Sequence, residues 1–357
     1  VFLFCQTVFQ YGLDPQKRIT QYTHDVWKIQ QGLPSNSVYE IIQTGPGYLW
    51  LATEEGLVRF DGVRFEVLDK KNTKELAVNS IYAICEDRQG NIWIGTYGGG
   101  LIGFNPRART FTTFNKNQGL ASDFIMNLFE DKQGGLWIGT DKGLNYLPPH
   151  QGKFTTYITG EGLRGNLISC VYEDGEGKLW IGTDGFGVNC LNDGNFTHYT
   201  MKEGLSNDTI GDICEDAGGN LCIGTNGGLT LLDVKTGKFT IYTTKEGLSS
   251  NRINDLYKDS AGILWIGTYG GGLNRFKDGQ FTAYTTGEGL SDDAVWGVYE
   301  DREGSLWIGT DTGGLNRLKD GKFTTYTCKD GLSFDYVWSV YEDRKGDLWI
   351  GTNGGGL

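Results

Sequence analysis

Side chains able to do chemistry are few and scattered in this chain. Its three histidines, His24, His150 and His198, form no pair at metal-ligand spacing. No Gly-x-Ser-x-Gly elbow or phosphate-cradling loop occurs, and the glycine runs Gly98–Gly100 and Gly270–Gly272 read as chain turns. An Asp-x-x-Gly phrase recurs, as at Asp87 to Gly90, Asp131 to Gly134 and Asp301 to Gly304. It lacks the dense carboxylate ladder of a calcium loop. A hairpin turn accounts for it, because Asp bonds its own downstream backbone and Gly supplies a positive φ. No catalytic residue, metal site or cofactor is expected, and the chain reads as a non-enzyme.

Recognition is the chemistry that remains. One position in a repeated strand varies while its neighbours stay apolar: Tyr39, Tyr82, Met126, Ser169, Gly211, Asn254, Trp296 and Trp338. Of these, Tyr39, Tyr82, Trp296 and Trp338 could stack on a ligand. Turns nearby add Tyr97, Tyr269 and Phe186, with Asp184 and Asp311 as hydrogen-bonding partners. Aromatic platforms with a few polar groups suit a carbohydrate or another small ligand. The competing reading is that these rings pack between repeats.

The elements that would position them are set by a period. An apolar–Trp–apolar–small–Thr phrase appears at Trp50, Trp93, Trp137, Trp180, Trp265, Trp307 and Trp349, with Cys222 in the Trp slot of another copy. Successive gaps of 43, 44, 43, 42, 43, 42 and 42 residues mean one unit stacked repeatedly. Within the copy that starts at Gly289, Ala294 to Tyr299 and Leu306 to Thr310 read as strands joined by the Asp301–Gly304 turn. Leu315 to Leu318 and the alternating Phe323 to Thr327 supply two more. Four short antiparallel strands without a helical period predict a propeller blade. The Leu-Trp-Ile run is apolar at successive positions, so both faces of that strand should be buried between blades. A β-solenoid or leucine-rich repeat does not fit.

Ile19 to Thr23 resembles an outer strand with no inner strands before it, so it should complete the last blade and remove an open edge. The expected fold is therefore an all-β propeller with a seven-bladed ring and the start of a next blade, or an eight-bladed ring. Residues 1–13 read as the remnant of a signal peptide and 14–321 as the propeller. Residues 322–357 read as the eighth repeat, opening a second propeller or closing an eight-bladed one.

Against 32 basic residues stand 44 acidic ones, a net charge of −12 without any basic stripe. Nucleic acid is excluded as a partner on that ground. Seven cysteines show no zinc spacing. Cys85 and Cys214 share a position that holds Phe129 or Tyr172 elsewhere, so they read as small core hydrophobes and not as a disulfide framework.

The phrase Gly-Leu-Ser, then Asn or Asp, then Val-x-x-Val-Tyr-Glu-Asp-x-x-Gly-x-Leu-Trp-Ile-Gly-Thr-x-x-Gly-Gly-Leu resembles the two-component regulator propeller repeat, best at 247–273, 289–315 and 331–357. Residues 14–22 through 56–62 are similar to the first repeat of such sensors. The resemblance implies a periplasmic sensory region of an inner-membrane-anchored protein. Such regions commonly have two seven-bladed rings ahead of a small β-domain, then a membrane helix and a histidine kinase or diguanylate cyclase output. The implied partners are a small-molecule or glycan ligand and signalling domains of the same polypeptide, with a homodimer allowed. A propeller lyase, a glycosidase or an interaction scaffold is the alternative. Cys222 for Trp, Lys258 for Glu, and Gln43-Thr44 for Glu-Asp depart from the pattern.

Overall fold

A computed structural model describes residues 12–149, 152–321, 328, 331–342 and 348–353. The repeats fold into seven four-stranded antiparallel sheets. Blades one to six span 38–68, 81–114, 125–157, 168–199, 210–242 and 253–284, and blade seven takes three strands from 295–319. The innermost strand of each blade packs on that of the next, and Val38–Gln43 of blade one meets Val295–Glu300 of blade seven, so the ring is closed. The eighth repeat is not inserted in this ring. Its strands Val337–Glu342 and Leu348–Thr352 form a separate two-stranded sheet, which excludes the eight-bladed arrangement. Most of the signal-remnant segment, residues 1–11, and the strand expected at 323–327 lie outside the described residues.

Blade seven is completed from the chain's other end, by a strand other than the one expected. Ile19–Gln21 is a short 3-10 turn, and the closing strand is Thr23–Trp27, paired with Leu315–Lys319. The correct anchor is the Gly-Leu that follows each outer strand. Trp27 precedes Gly32 by the same interval that separates Tyr284 from Gly289. Asp25 of this strand accepts from Arg317 Nε and Nη2 at 3.1 and 2.6 Å, and Trp27 stacks on Trp307 with centroids 5.4 Å apart. Lys17 pairs with Asp320 at 3.0 Å beside it.

Each residue of the recurring phrase has a mechanical task. The strands Leu136–Thr140 and Leu264–Thr268 are buried at every residue, whereas the outer strand Asn195–Tyr199 alternates. The Gly lets the next blade approach: a Cβ on Gly95 would lie 2.6 Å from Ile125 Cγ2, and one on Gly224 2.5 Å from Ile253 Cγ2. The Thr hydroxyl donates to a glycine carbonyl at or just before the start of the third strand, as in Thr53 to Gly56, Thr183 to Gly187 and Thr310 to Gly314 at 2.6–2.8 Å. The Trp indole donates to the Asp of its own turn in five blades, through Asp87, Asp131, Asp174, Asp259 and Asp301, at 2.6–3.0 Å. The other carboxylate oxygen of Asp301 takes the N–H groups of Glu303 and Ser305. The Asp-x-x-Gly unit is thus a turn and an anchor for the indole.

The Glu before that Asp ties neighbouring blades together. Glu86, Glu130, Glu173, Glu215 and Glu300 accept from Gly45, Arg88, Lys132, Gly175 and Ser260 N–H groups of the preceding blade. Where the phrase departs, the tie survives by other means. Gln43 Oε1 accepts from Arg302 N at 2.9 Å, and Lys258 Nζ donates to Asp216 O at 3.2 Å.

Candidate functional site

The variable position is made by a bulge. In blades one to seven the pairing of first and second strands skips one residue, between Val38 and Glu40 in blade one and between Val295 and Gly297 in blade seven. The same skip isolates Tyr82, Met126, Ser169, Gly211 and Asn254. A bulged residue is left out of the ladder, and the bend re-aims its side chain. All seven bulged residues line one cavity of about 610 Å³ at the mouth of the central channel.

The aromatics in this set are not spread round the mouth. They gather over blades six, seven, one, two and three. Tyr269 meets Trp296 edge-on at 6.4 Å, Trp296 meets Tyr39 at 6.0 Å, and Tyr39, Tyr82 and Tyr97 stack at 4.5 and 4.8 Å. Phe124 closes the row against Tyr97 at 4.9 Å. Desolvation holds the Tyr39 and Tyr82 phenols above their usual pKa, reinforced by the Glu54 and Asp311 carboxylates. Asp311 Oδ1 accepts from Trp296 Nε1 at 3.1 Å and fixes the indole. Arg252 covers the Tyr269 ring at 4.2 Å and also lines the cavity.

The opposite arc is polar. Ser169, Asn226, Thr209 and Asp184 line it, and Asp184 accepts from Thr209 Oγ1 at 3.0 Å. Gly211 there is a packing requirement, since a Cβ would run into the Ile253 carbonyl. Phe186 is exposed on the outer turn of this arc. Trp338 does not join the others: it sits on the separate sheet of the eighth repeat and is 76% exposed. Thus Tyr39, Tyr82, Tyr97, Tyr269, Trp296 and Asp311 come together, Asp184 faces them across the mouth, and Phe186 and Trp338 stand apart.

Below the bulges lie polar groups that the sequence reading passed over. Glu40 accepts from Ile84 N at 2.6 Å, Asp212 from Leu256 N at 3.0 Å, and Asp255 from Val298 N at 2.7 Å, each reaching the next blade's inner strand. All three line the channel. Enclosure by protein pushes the Glu40 carboxyl up to about 8 and Asp212 to about 7, and Asp255 rises as well, with Asp212 adding to the effect. Asn127 Oδ1 beside them is buried without a hydrogen-bond partner. The signal was a carboxylate at a position that is Ala83, Cys170 or Gly297 in other blades.

Two histidines are accounted for away from the channel. His24 and His198 lie in outermost strands, each 2.9 Å from a buried Asn, Asn316 and Asn189. His150 lies outside the described residues. Among the described residues no three His, Cys, Asp or Glu side chains converge as metal ligands would.

Comparison with known proteins places these features in a family context. Residues 32–55, 75–98, 119–142, 162–185, 289–312 and 331–354 match the two component regulator propeller, and 188–294 match the SMP-30/gluconolactonase/LRE-like region. The extracellular domain of a putative hybrid two component system from B. thetaiotaomicron is 26% identical, with a TM-score of 0.75 over 94% of this chain and 53% of that one. This chain therefore spans about half the length of that domain. Streptogramin B lyase (TM-score 0.67, 14% identity) is matched over 85% of this chain and 99% of its own. A virginiamycin B lyase from Staphylococcus aureus gives a TM-score of 0.67 at 12% identity, over 84% and 99%. At those identities the likeness to the lyases is one of fold. No curated protein matches.

Proposed function

We propose that this chain, which carries two component regulator propeller repeats, is the sensory propeller of a signal-transduction protein and works outside the cytoplasm. In this reading it is non-catalytic. It takes a small ligand, with glycans the first class to test, at the channel mouth and relays the change to a kinase or cyclase output in the same polypeptide. The location is periplasmic, on an inner-membrane-anchored protein, and residues 322–357 open a second ring. The observation that carries the reading is the set of seven bulges, which turn the one variable residue of each repeat into a shared cavity. Loops and irregularities on a rigid scaffold are where recognition is commonly placed. The likeness to the extracellular domain of a putative hybrid two component system supports the sensory role and the location.

A lyase-type enzyme is the second reading, favoured by the shared ring architecture. Fold alone does not fix activity, and His24 and His198 are engaged in outer strands. A thermal-shift screen of neutral oligosaccharides tests the site. A glycan that raises the midpoint of the wild type should lose its effect with Trp296→Ala and with Tyr82→Ala. Equal shifts in all three proteins would remove the mouth as the binding surface. Mass spectrometry of the same glycans after incubation should show them intact, and their consumption would establish the enzyme reading.

A further inference from the structure

Blade five departs from its neighbours at two facing positions at once. In the pairing of first and second strands, Ile42 faces Trp50, Phe129 faces Trp137, Tyr172 faces Trp180, Tyr257 faces Trp265 and Tyr299 faces Trp307. Blade two has Cys85 against Trp93. In blade five Cys214 faces Cys222, so the loss of the indole coincides with a thiol on both strands. We propose that Cys214 and Cys222 form a cross-strand disulfide when the chain folds under oxidising conditions, and that this link stands in for the Trp of the other blades.

The geometry allows it. Directly opposed residues of antiparallel strands have Cα atoms about 4.5–5.5 Å apart, within the range of about 4.4–6.8 Å that disulfides span. The two thiols already act on each other in the reduced chain: the neighbouring Cys222, together with burial, holds the Cys214 thiol well above its usual range. The remaining buried cysteines have no such partner across the strand, since Cys170 faces Gly182 and Cys190 faces Trp180. The turn keeps an anchor without the indole: Asp216 Oδ2 accepts from Asn220 Nδ2 at 2.8 Å, a bond that Asn91 also makes to Asp87 in blade two beside the Trp93 indole.

The chemistry requires an external disulfide, from glutathione or a protein oxidant. One cysteine thiolate attacks it, forming a mixed disulfide and releasing one external thiol. The second cysteine thiolate then attacks the mixed disulfide at its protein sulfur. The Sγ–Sγ bond forms and the second external thiol leaves. The two cysteines give up two electrons and two protons, which the external disulfide takes up as it becomes two thiols. Timing follows from burial. Cys222 is fully enclosed in the finished ring, so exchange belongs to the stage when the hairpin exists but blades four and six have not yet covered it. Only the short Asp216–Asn220 turn separates the two strands, so closing this loop costs little entropy.

Trypsin leaves both cysteines on one peptide, residues 203–235, because no Lys or Arg intervenes. The reduced, denatured chain is refolded in a buffer of oxidised and reduced glutathione, alkylated with iodoacetamide and digested without reductant. The expected peptide is lighter than its dithiol form by two hydrogens and carries no alkyl group, and reduction before alkylation adds two. Recovery with both cysteines alkylated, or with either linked to another cysteine, would overturn the proposal. As a second measurement, reduction should lower the unfolding midpoint of the oxidised wild type by a few degrees and leave that of Cys222→Ala unchanged. Equal midpoints for oxidised and reduced wild type would also count against the link. The oxidant is supplied in the buffer, so the outcome is independent of where the chain resides and of what its mouth binds.

Discussion

On the face that carries the Asp-x-x-Gly turns, the recurring carboxylates are committed to structural bonds. Asp301 alone serves two backbone N–H groups and an indole, and Glu or its substitute ties each blade to the one before. On the opposite face the ladder is interrupted once per blade, and the residue released there varies, with only Tyr occurring twice: Tyr39, Tyr82, Met126, Ser169, Gly211, Asn254, Trp296. The difference shows how a repeat protein separates two demands. Bonds that recur around the ring constrain the residue type, so that face is legible as repetition. The bulge fixes chiefly the backbone, which leaves the side chain free to vary in every blade but the fifth, where Gly211 is held by packing.

Substitutions on the two faces should therefore behave differently. The largest effect is expected for Trp265→Ala, which empties a fully buried site and removes the bond to Asp259. Chemical denaturation should report a loss of about 3–5 kcal/mol. Asp301→Ala strands two N–H groups and the Trp307 indole, with a cost of about 2–3 kcal/mol. Asp301→Asn should recover part of it, and an equal loss for both would point to charge in place of hydrogen bonding.

The channel wall between the faces gives a pH effect. A carboxyl whose folded pKa lies above its unfolded value stabilises the fold most below the unfolded pKa, and that contribution is lost as pH rises through the folded one. For Glu40 the window runs from the ordinary 4.5 up to about 8. Stability should fall across it by on the order of 2 kcal/mol once channel water is allowed for. Glu40→Gln, which keeps an acceptor for Ile84 N, should flatten the profile, and an unchanged slope would assign the effect to other groups. The smallest effect is expected at the mouth. Trp296→Ala should cost about 1 kcal/mol or less, because the indole is half-buried and outside the ladder. A loss as large as that of Trp265→Ala would make the aromatic row a structural clamp and not a recognition surface.

Much of this was legible in the sequence for a physical reason. A strand buried on both faces must be apolar throughout, so Leu136 to Thr140 announced its position and the blade period with it. The closing strand was placed too early because Ile19 to Thr23 mimics the alternation of an outer strand. The deciding information was the distance from Trp27 to Gly32, a spacing and not a residue type. The variable position could be read as facing the channel, but the gathering of its aromatics into one arc could not, since it depends on which blades are neighbours across the closure. Glu40, Asp212 and Asp255 were missed because charged residues on an inner strand look like solvent-facing ones until the channel that encloses them exists.

The latch strand Thr23–Trp27 also sets an order of events. Its bonds to Asn316 and Arg317 join residues 292 positions apart. On a ribosome the latch emerges early and must wait for its partner strand, roughly 15 to 60 s at ordinary rates of synthesis. Throughout that interval six blades can assemble beside an unzipped seventh, with raw strand edges on both sides of the gap. The last contact to form is also where the chain both enters and leaves the ring. A pull exerted between the two flanking segments would therefore load that seam first, peeling one strand while the other six blades stay intact.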